Sequence, residues 1–146
     1  MKNTELLQAI CASLSLTADD LREQFELCGR SIASDEVNNL LTECSDQNLR
    51  TFLEGLILAQ RGPRSDGEAP VIEDTTPTNN EVLKKLRIAL NMHEADMMLV
   101  FEESGTTLSR SEFSALFRKP DNKHYRPCSD ELLLQFLRGL QPQLDT

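Results

Sequence analysis

The sequence contains no tryptophan, a single tyrosine and only four cysteines in 146 residues. These cysteines form no CxxC pair and no cluster with histidine at zinc spacing; they are Cys11, Cys28, Cys44 and Cys128. Such spacing supports neither a disulfide framework nor a structural metal. We therefore predict reduced, mostly buried thiols, with no metal and no cofactor.

Long apolar runs are also absent. No stretch approaches the roughly 18 residues that a membrane span requires. Glu5 and Gln8 interrupt the N-terminal segment before a signal-peptide core can form. The sequence therefore predicts a cytoplasmic protein that makes no membrane contact.

Positive charge is scarce in most of the chain, whose formal net charge is −9. Residues 1–62 carry 5 basic and 10 acidic side chains, whereas residues 79–146 carry 9 and 10. The overall balance opposes simple attraction to nucleic acid or anionic lipid. A local basic surface is still expected in the second half, where the positive residues are grouped.

The chain contains an internal repeat. A shift of 76 positions aligns identical residues from Asn3 with Asn79 to Leu40 with Leu116. A shift of 84 positions then aligns Cys44 with Cys128 and continues to Leu56 with Leu140. The second copy therefore contains an insertion of eight residues, which lies within Arg118 to Pro127.

Each copy has the apolar spacing of four short helices, with hydrophobic staples and capping residues at three of the helix starts. The segment Gly62 to Thr78 is rich in proline, glycine, threonine and acid, which is typical of a mobile linker. We predict an all-α fold of two tandem four-helix modules joined by a flexible linker. The predicted boundaries are residues 1–62, 63–78 and 79–146.

A module of roughly 60 residues is only marginally stable alone, so we expect the two copies to pack on each other or the protein to form a homodimer. Gly55 and Gly139 lie inside the fourth helix of their modules, where glycine costs about 1 kcal/mol relative to alanine. We predict that another helix approaches closely at these two positions.

The insertion and its flanks form the main candidate site, because they place four positive charges, a histidine and the only tyrosine in one loop. The predicted partner-binding residues are Arg118, Lys119, Asp121, Lys123, His124, Tyr125 and Arg126. Arginine, lysine and tyrosine side by side suit phosphate contact and base stacking. The alternative is a solvated loop whose charges pair with neighbouring acids.

A second basic patch lies on the first helix of the second copy, at Lys84, Lys85 and Arg87, and a solvated helix face is the alternative interpretation. A catalytic interpretation would pair His124 with Cys128. The repeat places Cys128 at a buried staple position, where a thiol is unreactive. We therefore predict no catalytic residues.

Three segments resemble the YehS-like family, small bacterial cytosolic proteins with two copies of a domain of unknown function. The segments are NNEVLKKLRIAL (Asn79 to Leu90), KPDNKHYRPCSDELLLQFLRGL (Lys119 to Leu140) and CSDQNLRTFLEGLILAQRG (Cys44 to Gly62). The resemblance implies an uncharacterised protein with no known activity or ligand. The family usually has a charged loop before the cysteine, but the first copy here runs from Leu41 to Glu43 directly into Cys44. Only the second copy is expected to retain a binding loop.

The order of the helices is also similar to that of repressor-type helix-turn-helix domains. However, Gly105 precedes the Ser109 cap by four positions, which argues against the tight turn that aims a recognition helix. We predict a non-enzymatic helical adaptor or regulatory binding protein with a protein partner. The alternative is a nucleic-acid-binding protein that uses the basic loop of the second module.

Overall fold

The computed structural model describes the backbone of residues 1–144 and the side chains of residues 1–141. The end of the predicted second module, residues 145–146, lies outside the described residues. The described part contains no strand and has eight helices: α1 Asn3–Leu14, α2 Ala18–Leu27, α3 Ser34–Thr42, α4 Asp46–Arg61, α5 Asn79–Ala89, α6 Glu94–Glu103, α7 Arg110–Leu116 and α8 Asp130–Leu144. The predicted all-α fold with two tandem modules is confirmed.

The helices begin where local capping chemistry places them. The Thr17 hydroxyl accepts a hydrogen bond from the Asp20 backbone N–H, and the Asp20 carboxylate accepts one from the Thr17 N–H. Ser109 and Glu112 form the same reciprocal pair at the start of α7. Each pair satisfies backbone donors that a helix start leaves open, so the sequence defines these helix starts locally.

The two interior glycines explain how the helices of each module pack. A Cβ atom added at Gly55 would lie 2.2 Å from the Gln24 carbonyl oxygen, and one added at Gly139 would lie 1.9 Å from the Val100 carbonyl oxygen. The fourth helix of each module therefore contacts the backbone of the second helix of the same module. The predicted close approach is confirmed at both positions, and it lies within each module.

The modules pack on each other, which confirms one of the two expected outcomes. α1 packs against α8 and α4 packs against α5, so the buried apolar side chains of both modules form one cluster. At the first contact the buried Ser13 hydroxyl donates to the Leu137 carbonyl at 2.8 Å. At the second, Lys85 pairs with Glu54, and Arg50 pairs with Glu81 at 3.1 Å.

The segment between α4 and α5 contains no helix, as its composition predicts. Its last residues are nevertheless held against the modules. Arg50 donates to the Thr75 carbonyl, the Thr76 hydroxyl donates to Asp46 at 2.8 Å, and Pro77 is buried. The linker therefore enters α5 from a fixed direction, which its composition did not indicate.

Candidate functional site

The connection between α7 and α8 is the largest structural difference between the modules. It runs from residue 117 to residue 129, whereas the matching connection in the first module runs only from residue 43 to residue 45. The Arg126 backbone N–H donates to the Ala115 carbonyl at 3.1 Å, which ties the end of the long loop back to α7. The inserted residues therefore form an anchored loop beside α7.

Asn80 on α5 holds both ends of this loop. Its side-chain amide donates to the Leu116 carbonyl at 2.9 Å and to the Arg126 carbonyl at 2.8 Å. Its side-chain oxygen accepts from the Cys128 backbone N–H at 2.8 Å. Because Asn80 is only 9 % exposed, these three bonds satisfy a buried amide and fix the loop against α5.

A groove of about 260 Å³ opens between the loop and the N-terminal half of α5. Its apolar wall and floor consist of Leu116, Phe117, Pro120 and Tyr125. Three exposed cations, Lys84, Arg118 and Lys119, surround it. These seven residues are called the basic groove below. The groove combines residues from both sequence segments that were predicted as separate basic patches.

Only part of the predicted loop site lines the basic groove. Arg118, Lys119 and Tyr125 do so, and Tyr125 is partly buried there. Arg126 instead pairs with Glu112 of α7 at 3.2 Å.

The tip of the loop is separate from the groove. Asp121, Lys123 and His124 are exposed at the tip and do not line the groove. The His124 backbone N–H donates to the Asn122 side chain at 2.8 Å, which gives the tip a local turn. The seven predicted residues therefore do not form one surface.

The second predicted patch also divides. Lys84 joins the basic groove, but Lys85 pairs with Glu54 at the contact between modules. The Arg87 guanidinium lies over the Phe117 ring at 4.9 Å and over the Phe113 ring at 5.4 Å. Lys85 and Arg87 thus have structural contacts within the protein.

Among the residues that the structure describes, Glu81 is the one acidic residue that lines the groove. Partial burial raises the pKa of its carboxyl, but hydrogen bonds from Thr78 and Arg50 outweigh this effect and lower the pKa below its usual value. Arg50 pairs with it at 3.1 Å. Because the charge of Glu81 is compensated by Arg50, the three groove cations dominate the local field.

The corresponding position in the first module is closed differently. The repeat aligns Lys84 with Gln8 and Phe117 with Leu41. The Gln8 side-chain amide donates to the Leu41 carbonyl and so bridges α1 to the end of α3. Because the first module has no insertion, it lacks the loop that forms one wall of the basic groove. The hydrogen bond from Gln8 to Leu41 occupies the corresponding position.

A catalytic pair of His124 with Cys128, which the repeat argues against, would need an exposed thiolate. Cys128 is 5 % exposed, and its Sγ contacts the Ser129 carbonyl at 3.6 Å. Burial raises the pKa of the Cys128 thiol to about 11, which keeps it protonated at neutral pH. Among the described residues no group of three or more His, Cys, Asp or Glu side chains could hold a metal ion.

A second cavity lies elsewhere, between the linker and helices α4 and α5, with a volume of about 200 Å³. Its cations Arg50 and Lys85 are already paired with Glu81 and Glu54. Paired charges leave little net attraction for a ligand, so the basic groove is the better candidate. Across the described residues, no helix combines the length and apolar character needed to cross a membrane.

Comparison with known proteins identifies the family. A family model described as "Protein of unknown function (DUF1456)" matches residues 3–62 and again residues 79–144. The chain belongs to the DUF1456 family. Its two copies of the DUF1456 sequence coincide with the two helical modules.

One curated relative of this DUF1456 chain is the uncharacterised protein YehS of Escherichia coli strain K12. It is 43 % identical over 98 residues, which cover 66 % of this chain and 62 % of YehS. The match thus spans less than two thirds of the length of that relative. No solved structure matches the chain.

Two residues that build the basic groove are not predicted from the sequence. Phe117 forms part of its apolar floor, and Asn80 holds the loop between α7 and α8. A polar residue in the first turn of a helix is common, so Asn80 carries no functional signal by itself. Phe117 continues the apolar spacing of α7 and looks like an ordinary core residue. The available signal was the repeat itself, which aligns Asn80 with Thr4 and Phe117 with Leu41. Differences between the aligned copies therefore indicate where the second module differs in structure from the first module.

Proposed function

We propose that this chain is a cytoplasmic, non-enzymatic helical adaptor or regulatory binding protein that engages a protein partner through the basic groove. The observation that carries this proposal is the convergence of two distant segments on one groove. Lys84 comes from α5, whereas Arg118 and Lys119 follow α7, and all three are exposed around an apolar floor. Concave surfaces with an apolar base and a few polar groups are the usual form of binding sites.

The chemistry of the groove supports binding over catalysis. Its titratable side chains are cations, one tyrosine and the compensated Glu81, so it presents no activated nucleophile and no acid and base pair. Its buried polar side chain, Asn80, has its hydrogen bonds committed to the loop. The function therefore rests on charge and shape.

Nucleic acid is the second candidate, and the adjacency of Arg118, Lys119 and Tyr125 at one groove favours it. Cations that contact phosphates beside an aromatic ring that stacks on a base would account for such binding. Since phosphate contacts make affinity fall steeply with added salt, this candidate has a distinctive signature.

A quantitative pull-down from the native cell tests the proposal. The baits are the wild type, a groove variant (Lys84→Glu with Lys119→Glu) and a control variant (Lys123→Glu with Arg138→Glu). Lys123 and Arg138 are exposed, do not line the groove, and give the same change in net charge. We expect a partner that the wild type and the control recover and that the groove variant loses.

Equal recovery by all three baits would overturn the assignment of the surface. Nuclease treatment before elution separates the two candidates, because a protein partner survives it. Recovery that depends on nucleic acid would replace the first candidate with the second. A homodimer is tested in the same preparation by light scattering after size exclusion, and a groove-dependent dimer would identify the partner as a second copy.

A further inference from the structure

The three groove cations lack internal partners among the described side chains. Lys84, Arg118 and Lys119 form no ion pair, whereas Lys85 and Arg126, which lie near them in the sequence, both do. The chain carries 24 acidic side chains against 15 basic ones, so acids are in excess. Lys123 and Arg138 also form no ion pair among the described side chains, so the distinguishing feature of the three groove cations is their placement around one groove. This placement forms a surface complementary to a negatively charged partner.

The floor of the groove limits where the negative charge of a ligand can lie. Leu116 is buried, Phe117 and Tyr125 are partly buried, and all three hydrogen bonds of Asn80 are taken up by the loop. The floor therefore favours an apolar group, while the charges of the ligand belong at the rim. A ligand that is anionic throughout would leave the apolar floor uncovered.

The surface continues beyond the groove along α5. A neighbouring depression of about 420 Å³ shares Lys84 and Phe117 with it and adds Arg61 and Ile88. Ile88 is 42 % exposed, which makes it one of the larger apolar side chains in contact with solvent. A surface with this extent and alternation of charge and apolar area suits an extended or helical segment.

We propose that the partner binds through an acidic peptide segment that places an aliphatic or aromatic side chain on the groove floor and carboxylates beside Lys84, Arg118 and Lys119. This inference rests on the proposed function and adds the chemistry of the partner. The feature against nucleic acid is the apolar floor, because a strand that carries a phosphate at every nucleotide would leave Leu116 and Phe117 uncovered.

Selection from a random-peptide phage library tests the proposal with a defined probe. The library is first depleted on the groove variant (Lys84→Glu with Lys119→Glu) and then selected on the wild-type protein. We expect enriched peptides to combine aspartate or glutamate with a large apolar residue. A selected peptide is then made with a fluorophore and titrated against the wild type, the groove variant and the control variant (Lys123→Glu with Arg138→Glu).

In fluorescence anisotropy the groove variant should bind the peptide at least about tenfold more weakly than the control, since two attractions become repulsions. Replacing the acids of the peptide by their amides, or its apolar residue by serine, should each weaken binding. No enrichment, enrichment without acidic bias, or equal binding by groove and control variants would overturn the proposal. Stronger groove-dependent binding of a single-stranded oligonucleotide than of any selected peptide would also overturn it.

The two proposals fail separately. If the pull-down finds a groove-dependent protein while the selection yields no acidic peptides, the groove is a binding site for a partner of another chemistry. If neither experiment depends on the groove, the proposed function itself is wrong. Circular dichroism of each variant confirms that the exposed substitutions leave the helical fold intact.

Discussion

Replacing Asn80 by alanine should destabilise the protein and release the loop that forms one wall of the basic groove. Asn80 makes hydrogen bonds of 2.9, 2.8 and 2.8 Å to Leu116, Arg126 and Cys128. A net hydrogen bond contributes about 1 kcal/mol, so the loss amounts to about 3 kcal/mol. The better helix propensity of alanine returns roughly 0.5 kcal/mol, which leaves a cost of about 2–3 kcal/mol.

Thr4 provides a matched control for this substitution. The repeat aligns it with Asn80 at the same turn of α1, and its hydroxyl accepts one hydrogen bond, from the Cys44 N–H at 3.1 Å. Thr4→Ala should therefore cost only about 1 kcal/mol. Urea unfolding followed by far-ultraviolet circular dichroism measures both costs, and the shared core predicts one cooperative transition.

Hydrogen exchange locates the effect of the Asn80 substitution. The Cys128 amide should lose protection in Asn80→Ala, whereas amides in the first module should keep theirs. The reasoning is refuted if Asn80→Ala costs no more than Thr4→Ala, or if the Cys128 amide exchanges at the wild-type rate.

Three further outcomes follow from the packing. Gly139→Ala should destabilise the protein by about 2 kcal/mol or more, because the alanine Cβ would lie 1.9 Å from the Val100 carbonyl oxygen. A free energy of unfolding equal to or above that of the wild type would contradict this. Gln24→Met should raise the free energy of unfolding by about 1 kcal/mol, because the Gln24 side-chain oxygen is buried without a hydrogen-bond partner; a decrease would show that the amide is satisfied. Burial raises the pKa of the Cys128 thiol to about 11, so this thiol should react with iodoacetamide far more slowly in the native protein than in urea. Mass spectrometry of the modified peptides measures both rates, and rapid labelling of the native protein would show that the thiol is reactive.

Local signals in the sequence were enough to predict much of the fold. Thr17 with Asp20 and Ser109 with Glu112 act within four residues, so their role as helix starts is readable without a structure. Gly139 was informative for another reason, since an unfavourable residue inside a helix indicates a compensating contact.

Contacts between distant segments were not predictable in the same way. An apolar stripe shows that a helix buries one face but does not name the helix that covers it, so the packing of α1 on α8 at Ser13 could not be read from the sequence. The candidate site was predicted in part for the same reason. The sequence places Arg118 and Lys119 in a loop and Lys84 on a distant helix, and only the fold shows that they share a groove.

Site-specific photo-crosslinking in the native cell tests most directly whether the basic groove is the binding surface. Azidophenylalanine at Tyr125 keeps an aromatic ring in the basic groove and leaves all three cations in place. The same group at exposed Thr42, at the end of α3, is the control in the first module. The account predicts a discrete protein adduct from position 125 that is absent from position 42; equal adducts from both positions, or none from position 125, would contradict it.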